Sequence, residues 1–376
     1  MSRLSEFFAI NLDMAKTREL WVDCAKAWGM FLIFHGHVVE YAFGDSQTGL
    51  LYEQFRFIYA FHVPLFFFLA GYVLKKPSTT FVVTLEKKIS TLIIPGIVFL
   101  LFTIPFHLIE DFYTGNFSIP KYLNFVTGIL KGVPQTSWLT WFLFCLFTAQ
   151  LLFWLVYPLF AKNKLVCLFL LYVVGWSAIT YLPSTPVPNV WFLHNAALAC
   201  FFLYLGHYAK LKQLNPNRLT TSQKWLFVIL TAILTYLSLY LNSGLSSYDK
   251  SAVIMAVSQV GNPFGFLLSA ILGIIFVSLL SDLTSKLDWL GEIGKVTLFL
   301  IFIGGLFFHF GNQILIDNFP VYLRESLVIS TLAVSIITFW ISVIVSYWMK
   351  KVVTFPTFKF PFSKIDLTKD NFGEGS

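Results

Sequence analysis

The first apolar stretch of the chain, Trp21 to Phe43, carries four residues able to do proton or anion chemistry: Asp23, Lys26, His35 and His37. A charge at the middle of a bilayer costs about 2.5–3.5 kcal/mol on insertion scales, so a membrane helix that keeps such groups uses them. A neutral imidazole titrates near physiological pH and can take a proton from a hydroxyl. A lysine can hold an anionic oxygen. At about 100° per residue, Lys26 and His37 fall within about 20° of each other, and Asp23 lies about 40° to the other side of His37. The rise from Lys26 to His37 is about 16 Å. One polar stripe therefore climbs the helix, with carboxylate and ammonium low on it and imidazole high on it. The expectation is that the stripe faces a single water-filled passage. Asp23 and Lys26 have a second reading, an i, i+3 ion pair at the headgroup boundary. His35 points about 120° from Asp23, which suits a helix contact. Glu40, one turn beyond His37, could orient its second ring nitrogen.

The elements that must position these groups are membrane helices. The chain has 376 residues, of which 57% are hydrophobic and only 12% charged. Soluble proteins average about 25% charged residues, so the composition belongs to a polytopic membrane protein and the net charge of +7 does not signal nucleic-acid binding. Runs near the ~20 residues needed to cross a bilayer recur at about 20–42, 55–74, 90–109, 138–160, 165–182, 191–209, 225–242, 262–281, 296–316 and 324–349. The fold expected is all-α and polytopic, with about ten transmembrane helices. Residues 1–349 form the membrane domain and 350–376 a cytoplasmic tail, disordered or interfacial.

Orientation follows from Lys and Arg. Alternate connections hold Arg3, Lys16 and Arg18; the pairs Lys75–Lys76 and Lys87–Lys88; Lys162 and Lys164; Lys210, Lys212, Arg218 and Lys224; Lys286 and Lys295; and five residues from Lys350 onward, twenty in all. The opposite side has five: Arg56, Lys121, Lys131, Lys250 and Arg324. The positive-inside rule then puts both termini in the cytoplasm and His37 towards the outer face. His62, at the start of the next span, and His309, late in the ninth, reach a similar depth. Each either lines a shared cavity with His37 or packs as a hydrogen-bonded core residue. His107, His194 and His207 read as interfacial. The connection around 110–137, with Glu110 and Asp111, reads as the longest outer loop, and Trp138 to Phe144 as an aromatic belt. Cys24, Cys145, Cys167 and Cys200 fall inside spans without metal-type spacing and read as apolar packing residues. No cleavable leader is evident, and no internal repeat.

Arg18 to His37 resembles the first helix of the acyltransferase-3 family, in which a basic residue, ten residues and a His follow an Asp three positions earlier; Asp23, Lys26 and His37 fit. The segment FHVPLFFFLAGY (61–72) is similar to the family's second-helix signature, with Ala70 where Ser is common. EKKISTLIIPG (86–96) and WLTWFLFCLF (138–147) are similar to its third-helix and W-F-L motifs, with Lys87–Lys88 where a double Arg also occurs. The Lys and the Gly-His ending lean towards the fucose 4-O-acetylase-like branch. The specific matches cover about the first 150 residues.

The resemblance implies a membrane O-acyltransferase that moves an acyl group other than aminoacyl, acetyl above all, from cytoplasmic acetyl-CoA or a related acyl-CoA. The acceptor would be a hydroxyl of an envelope or exported saccharide or glycolipid, and the location the inner (plasma) membrane. His37 would be the general base, with Asp23 and His62 also in the catalytic set. Lys26, Lys87 and Lys88 would grip the coenzyme's phosphates; Lys–Lys offers less bidentate grip than Arg–Arg. No metal and no nucleic acid is expected. The alternatives are a transporter or flippase for a sugar-linked or lipid substrate, and a polysaccharide polymerase or ligase. The missing repeat disfavours the first of these, the modest outer loops the second.

Overall fold

The computed structural model describes residues 19–43, 49–133, 138–214, 219–245, 252–312, 315, 327–353 and 355–356. Most of the tail expected after 349 lies outside the described residues. Those residues contain helices and no strand. In chain order the main helices are α1 (Leu20–Phe43), α2 (Leu50–Tyr59), α3 (His62–Val73), α4 (Phe81–Lys88), α5 (Ile94–Thr114), α6 (Ile119–Leu130), α7 (Trp141–Lys162), α8 (Lys164–Tyr181), α9 (Leu193–Leu211), α10 (Thr221–Ser238), α11 (Pro263–Leu283), α12 (Asp288–Gly294), α13 (Thr297–Leu306) and α14 (Leu327–Val352). A π-helical turn, Ile89–Ile93, welds α4 to α5, and another, Phe307–Gly311, extends α13.

Among the described residues, eight helices are long and apolar enough to cross a membrane, nine if α12 and the α13 segment, bent by 71°, form one broken span. The count of ten expected from hydropathy runs differs at α1. With 24 residues it covers about 36 Å, enough for a bilayer, but its own polar stripe lowers its apolarity. Protein surrounds that stripe: α1 packs against α2, α3, α11, α12, α13 and α14. The chain is a multi-pass membrane protein in which α1, with its polar stripe, packs against six other helices.

Polar connections stop and restart the helices by capping. Thr80, Ser118, Asn163 and Asn262 each accept a hydrogen bond from a backbone N–H of the helix that follows, and Thr220 forms a full capping box with Gln223. Capping also corrects the reading of 110–137 as a loop. Helix α5 runs on to Thr114 and ends on Gly115 in the left-handed region, after which Ser118 starts α6. Helix α6 exposes Ile119, Leu123, Val126 and Leu130 at helical spacing, the apolar stripe of an interfacial helix.

Helix crossings are tight where side chains vanish. A Cβ on Gly206 of α9 would run into the Phe68 carbonyl of α3, and one on Gly71 of α3 into the Leu203 backbone of α9. All four cysteines are buried and free, as their place inside the spans predicts.

Candidate active site

His37 and Glu40 stand one turn apart on α1, and His37 Nδ1 lies 3.0 Å from Glu40 Oε2. The Tyr59 hydroxyl, from the end of α2, donates to the same carboxylate oxygen at 2.6 Å and lies 3.1 Å from His37 Nδ1. Tyr59 reaches this close because residue 36 is glycine: a Cβ there would sit 3.2 Å from both the Tyr59 ring and Ile58 Cγ2. On its other side the His37 ring stacks on Phe308, with centroids 4.2 Å apart. With Nδ1–H donating to the carboxylate, the basic lone pair is on Nε2.

This imidazole lines a cavity of about 400 Å³, within the ~300–1,000 Å³ range of small-molecule sites. The same cavity is lined by Glu40 and Tyr59, by His62 on α3, by Trp141 on α7 and by His309 in the π turn after α13. A segment that the sequence offered no reason to single out, Val253–Val257, closes one side. It is held in place by the Ile254–Gln259 backbone bridge and by the Asn195 side chain, which donates to the Met255 carbonyl. Trp141 is buried on the cavity wall, so this part of the 138–144 run is a site wall and not an aromatic belt.

His62 and His309 thus join His37 on one cavity. His62 is buried, and its Nδ1 lies 3.0 Å from the Ile58 carbonyl, to which it donates; Nε2 is left as an acceptor here too. His35 is a helix contact: its ring nitrogens bond Ser335 of α14 and Gln54 of α2, each at 2.9 Å.

Asp23 and Lys26 do form the i, i+3 ion pair, at 3.2 Å, with Asp23 almost fully buried and Lys26 a quarter exposed. Lys26 nevertheless lines a second cavity, of about 280 Å³, together with Lys295 from the turn between α12 and α13. The stripe on α1 therefore faces two adjoining cavities. Phe66, Phe142 and Ile301 line both and form the wall between them. Phe66 and Phe142 meet edge to face, with centroids 6.0 Å apart. Lys87 and Lys88 line neither cavity; Lys87 is exposed and Lys88 half-buried at the end of α4.

Sequence reasoning missed Tyr59, Lys295 and Phe308. Lys295 counted only as a topology charge, and its helical turn carried no catalytic spacing. The π turn Phe307–Gly311, which presents Phe308 and His309 side by side to the cavity, leaves no mark in hydropathy. Such bulges recur at functional sites because the extra residue re-aims side chains.

No curated protein and no solved structure matches the chain. A family model described as an acyltransferase domain matches residues 19–349, from the first described residue to the last turn of α14. The chain belongs to the acyltransferase-3 family of integral membrane acyltransferases.

Proposed function

We propose that this membrane acyltransferase transfers an acetyl group from cytoplasmic acetyl-CoA to a hydroxyl of an envelope or exported saccharide or glycolipid, in the inner (plasma) membrane, in the manner of the fucose 4-O-acetylase-like branch. The observation that carries the reading is the pair of cavities stacked along α1, one lined by Lys26 and Lys295, which pair with Asp23 and Glu292, and one lined by His37 with its Nδ1 against Glu40. Both termini lie in the cytoplasm in this reading, so the Lys26–Lys295 cavity opens towards the coenzyme. The two ammonium groups neutralise its phosphates, with Lys87 and Lys88 meeting those that remain outside. Asp23 balances Lys26 and does not reach His37.

The pantetheine arm crosses the Phe66–Phe142–Ile301 wall and brings the thioester to His37, about 16 Å along the helix from Lys26. Nε2 of His37 takes the proton of the acceptor hydroxyl as its oxygen forms a bond to the thioester carbonyl carbon. The tetrahedral intermediate collapses by breaking the C–S bond, and the imidazolium returns the proton to the departing sulfur. Glu40 holds the imidazolium by charge and by orientation, and His62 Nε2 accepts a hydrogen bond from the saccharide.

The test uses membranes that contain the wild type or His37→Ala, supplied with acetyl-labelled acetyl-CoA and saccharide extracted from a deletion strain. Loss of labelled product with unchanged saccharide export is the expected result. Undiminished labelling in His37→Ala would remove His37 from the mechanism, and a saccharide that fails to reach the outside would favour transport.

A further inference from the structure

Beside the His37 cavity, three side chains from two distant parts of the chain converge, Glu110 standing between two imidazoles as the carboxylate of both ion pairs. His107 and Glu110 lie one turn apart near the end of α5, and His309 comes from the π turn after α13. Glu110 Oε2 is 3.6 Å from His107 Nδ1 and 3.6 Å from His309 Nε2, and one ligand atom from each residue lies within 4.8 Å of the others. A hydrogen bond between these atoms would measure about 2.7–3.2 Å. A tetrahedral ion with bonds of about 2.1 Å sets its ligand atoms about 3.4 Å apart. The two carboxylate–imidazole separations of 3.6 Å lie near the second value, and two imidazoles with one carboxylate are a donor set of the zinc type that leaves a fourth position open.

The surroundings agree. Asp111, next to Glu110, is taken up by the Lys121 ammonium at 2.6 Å and the Tyr122 hydroxyl at 2.8 Å, so the nearest lysine charge is balanced. His107 is buried among the rings of Phe125, Phe310 and His309, in tilted and edge-to-face contacts, which fixes one ligand before any ion arrives. Glu110 and His309 are about two-fifths exposed, which gives an ion a way in.

We propose that His107 Nδ1, Glu110 and His309 Nε2 bind a divalent transition metal of the zinc class beside the His37 cavity, which His309 also lines. The ion ties the end of α5 to the π turn and thereby fixes His309 and its neighbour Phe308, against which His37 stacks. This departs from the expectation of no metal, and it stands apart from the acyl-transfer reading, because binding is measured without substrate.

The experiment is cobalt(II) titration of the full-length protein, purified in detergent with a tag free of histidine and stripped with chelator. Expected is one cobalt ion per chain, with the visible bands of a four-coordinate site, displaced by zinc(II). Glu110→Gln, an exposed and nearly isosteric change that leaves the fold intact, should weaken binding at least about tenfold, and His309→Ala should abolish the bands. Absence of bound cobalt in the wild type, or affinity unchanged in Glu110→Gln, would overturn the proposal, whatever the outcome of acetyl-transfer assays.

Discussion

Glu40 Oε2 lies 3.0 Å from His37 Nδ1, one turn further along α1, and accepts from the Tyr59 hydroxyl at 2.6 Å as well. A carboxylate placed there chooses the tautomer and stabilises the protonated ring, the two things a general base requires of its partner. Glu40→Gln keeps the shape but removes the charge and can present an amide donor to Nδ1. The acetyl-transfer rate is expected to fall by about one to three orders of magnitude with little change in KM for acetyl-CoA. Steady-state kinetics in proteoliposomes checks this, and a rate within twofold of wild type would leave the ring oriented by Tyr59 and Phe308 without Glu40.

Gly36 sets how near α2 comes to α1. A methyl group at this position meets the Tyr59 ring and Ile58 at 3.2 Å, closer than comfortable contact but against side chains that can shift. Gly36→Ala is therefore expected to fold and to move Tyr59 off Glu40, with activity reduced more than thermal stability. Tyr59→Phe, which removes only the hydroxyl, should show the same kinetic loss. A Gly36→Ala protein with normal activity, or one that does not fold, would count against this account of the close approach.

The wall between the cavities makes a prediction about reach. Ile301 lines both cavities with Phe66 and Phe142, so Ile301→Trp adds bulk on the path proposed for the pantetheine arm. Overpacking costs about 1–3 kcal/mol in a packed interior, so the folded fraction is first verified by size-exclusion chromatography. Acetyl transfer should then drop sharply while acetyl-CoA still binds. Equal losses of binding and turnover would place the arm on another route.

Lys26 from α1 and Lys295 from the turn after α12 reach the same small cavity. Removing either charge, as Lys26→Met or Lys295→Met, is expected to raise KM for acetyl-CoA about tenfold, the worth of one charge-assisted hydrogen bond. Lys26→Met also takes the ammonium from the buried Asp23 carboxylate and should lower the yield of folded protein. Adding Asp23→Asn to Lys26→Met should recover the yield and leave KM high. Recovery of both would make the pair purely structural.

The residues themselves determined the class of protein and the helix on which the site is built. A 376-residue chain with so few charges must spread its apolar runs across a bilayer, and charged groups kept within one run mark the candidate functional face. The 3.6-residue period was enough to put Asp23, Lys26 and His37 on one stripe and His35 off it, because those positions share one helix and one rigid geometry. Tertiary structure alone decided the rest. Tyr59 reaches His37 through a close crossing with α1, Lys295 meets Lys26 through a 71° bend, and His309 joins His107 and Glu110 from about two hundred residues away. Local periodicity carries no information about such meetings, since they depend on which helices pack together and on the π turn that rotates the end of α13. The division of the stripe into two cavities has the same origin: three apolar side chains from α3, α7 and α13 close together only once those helices are packed.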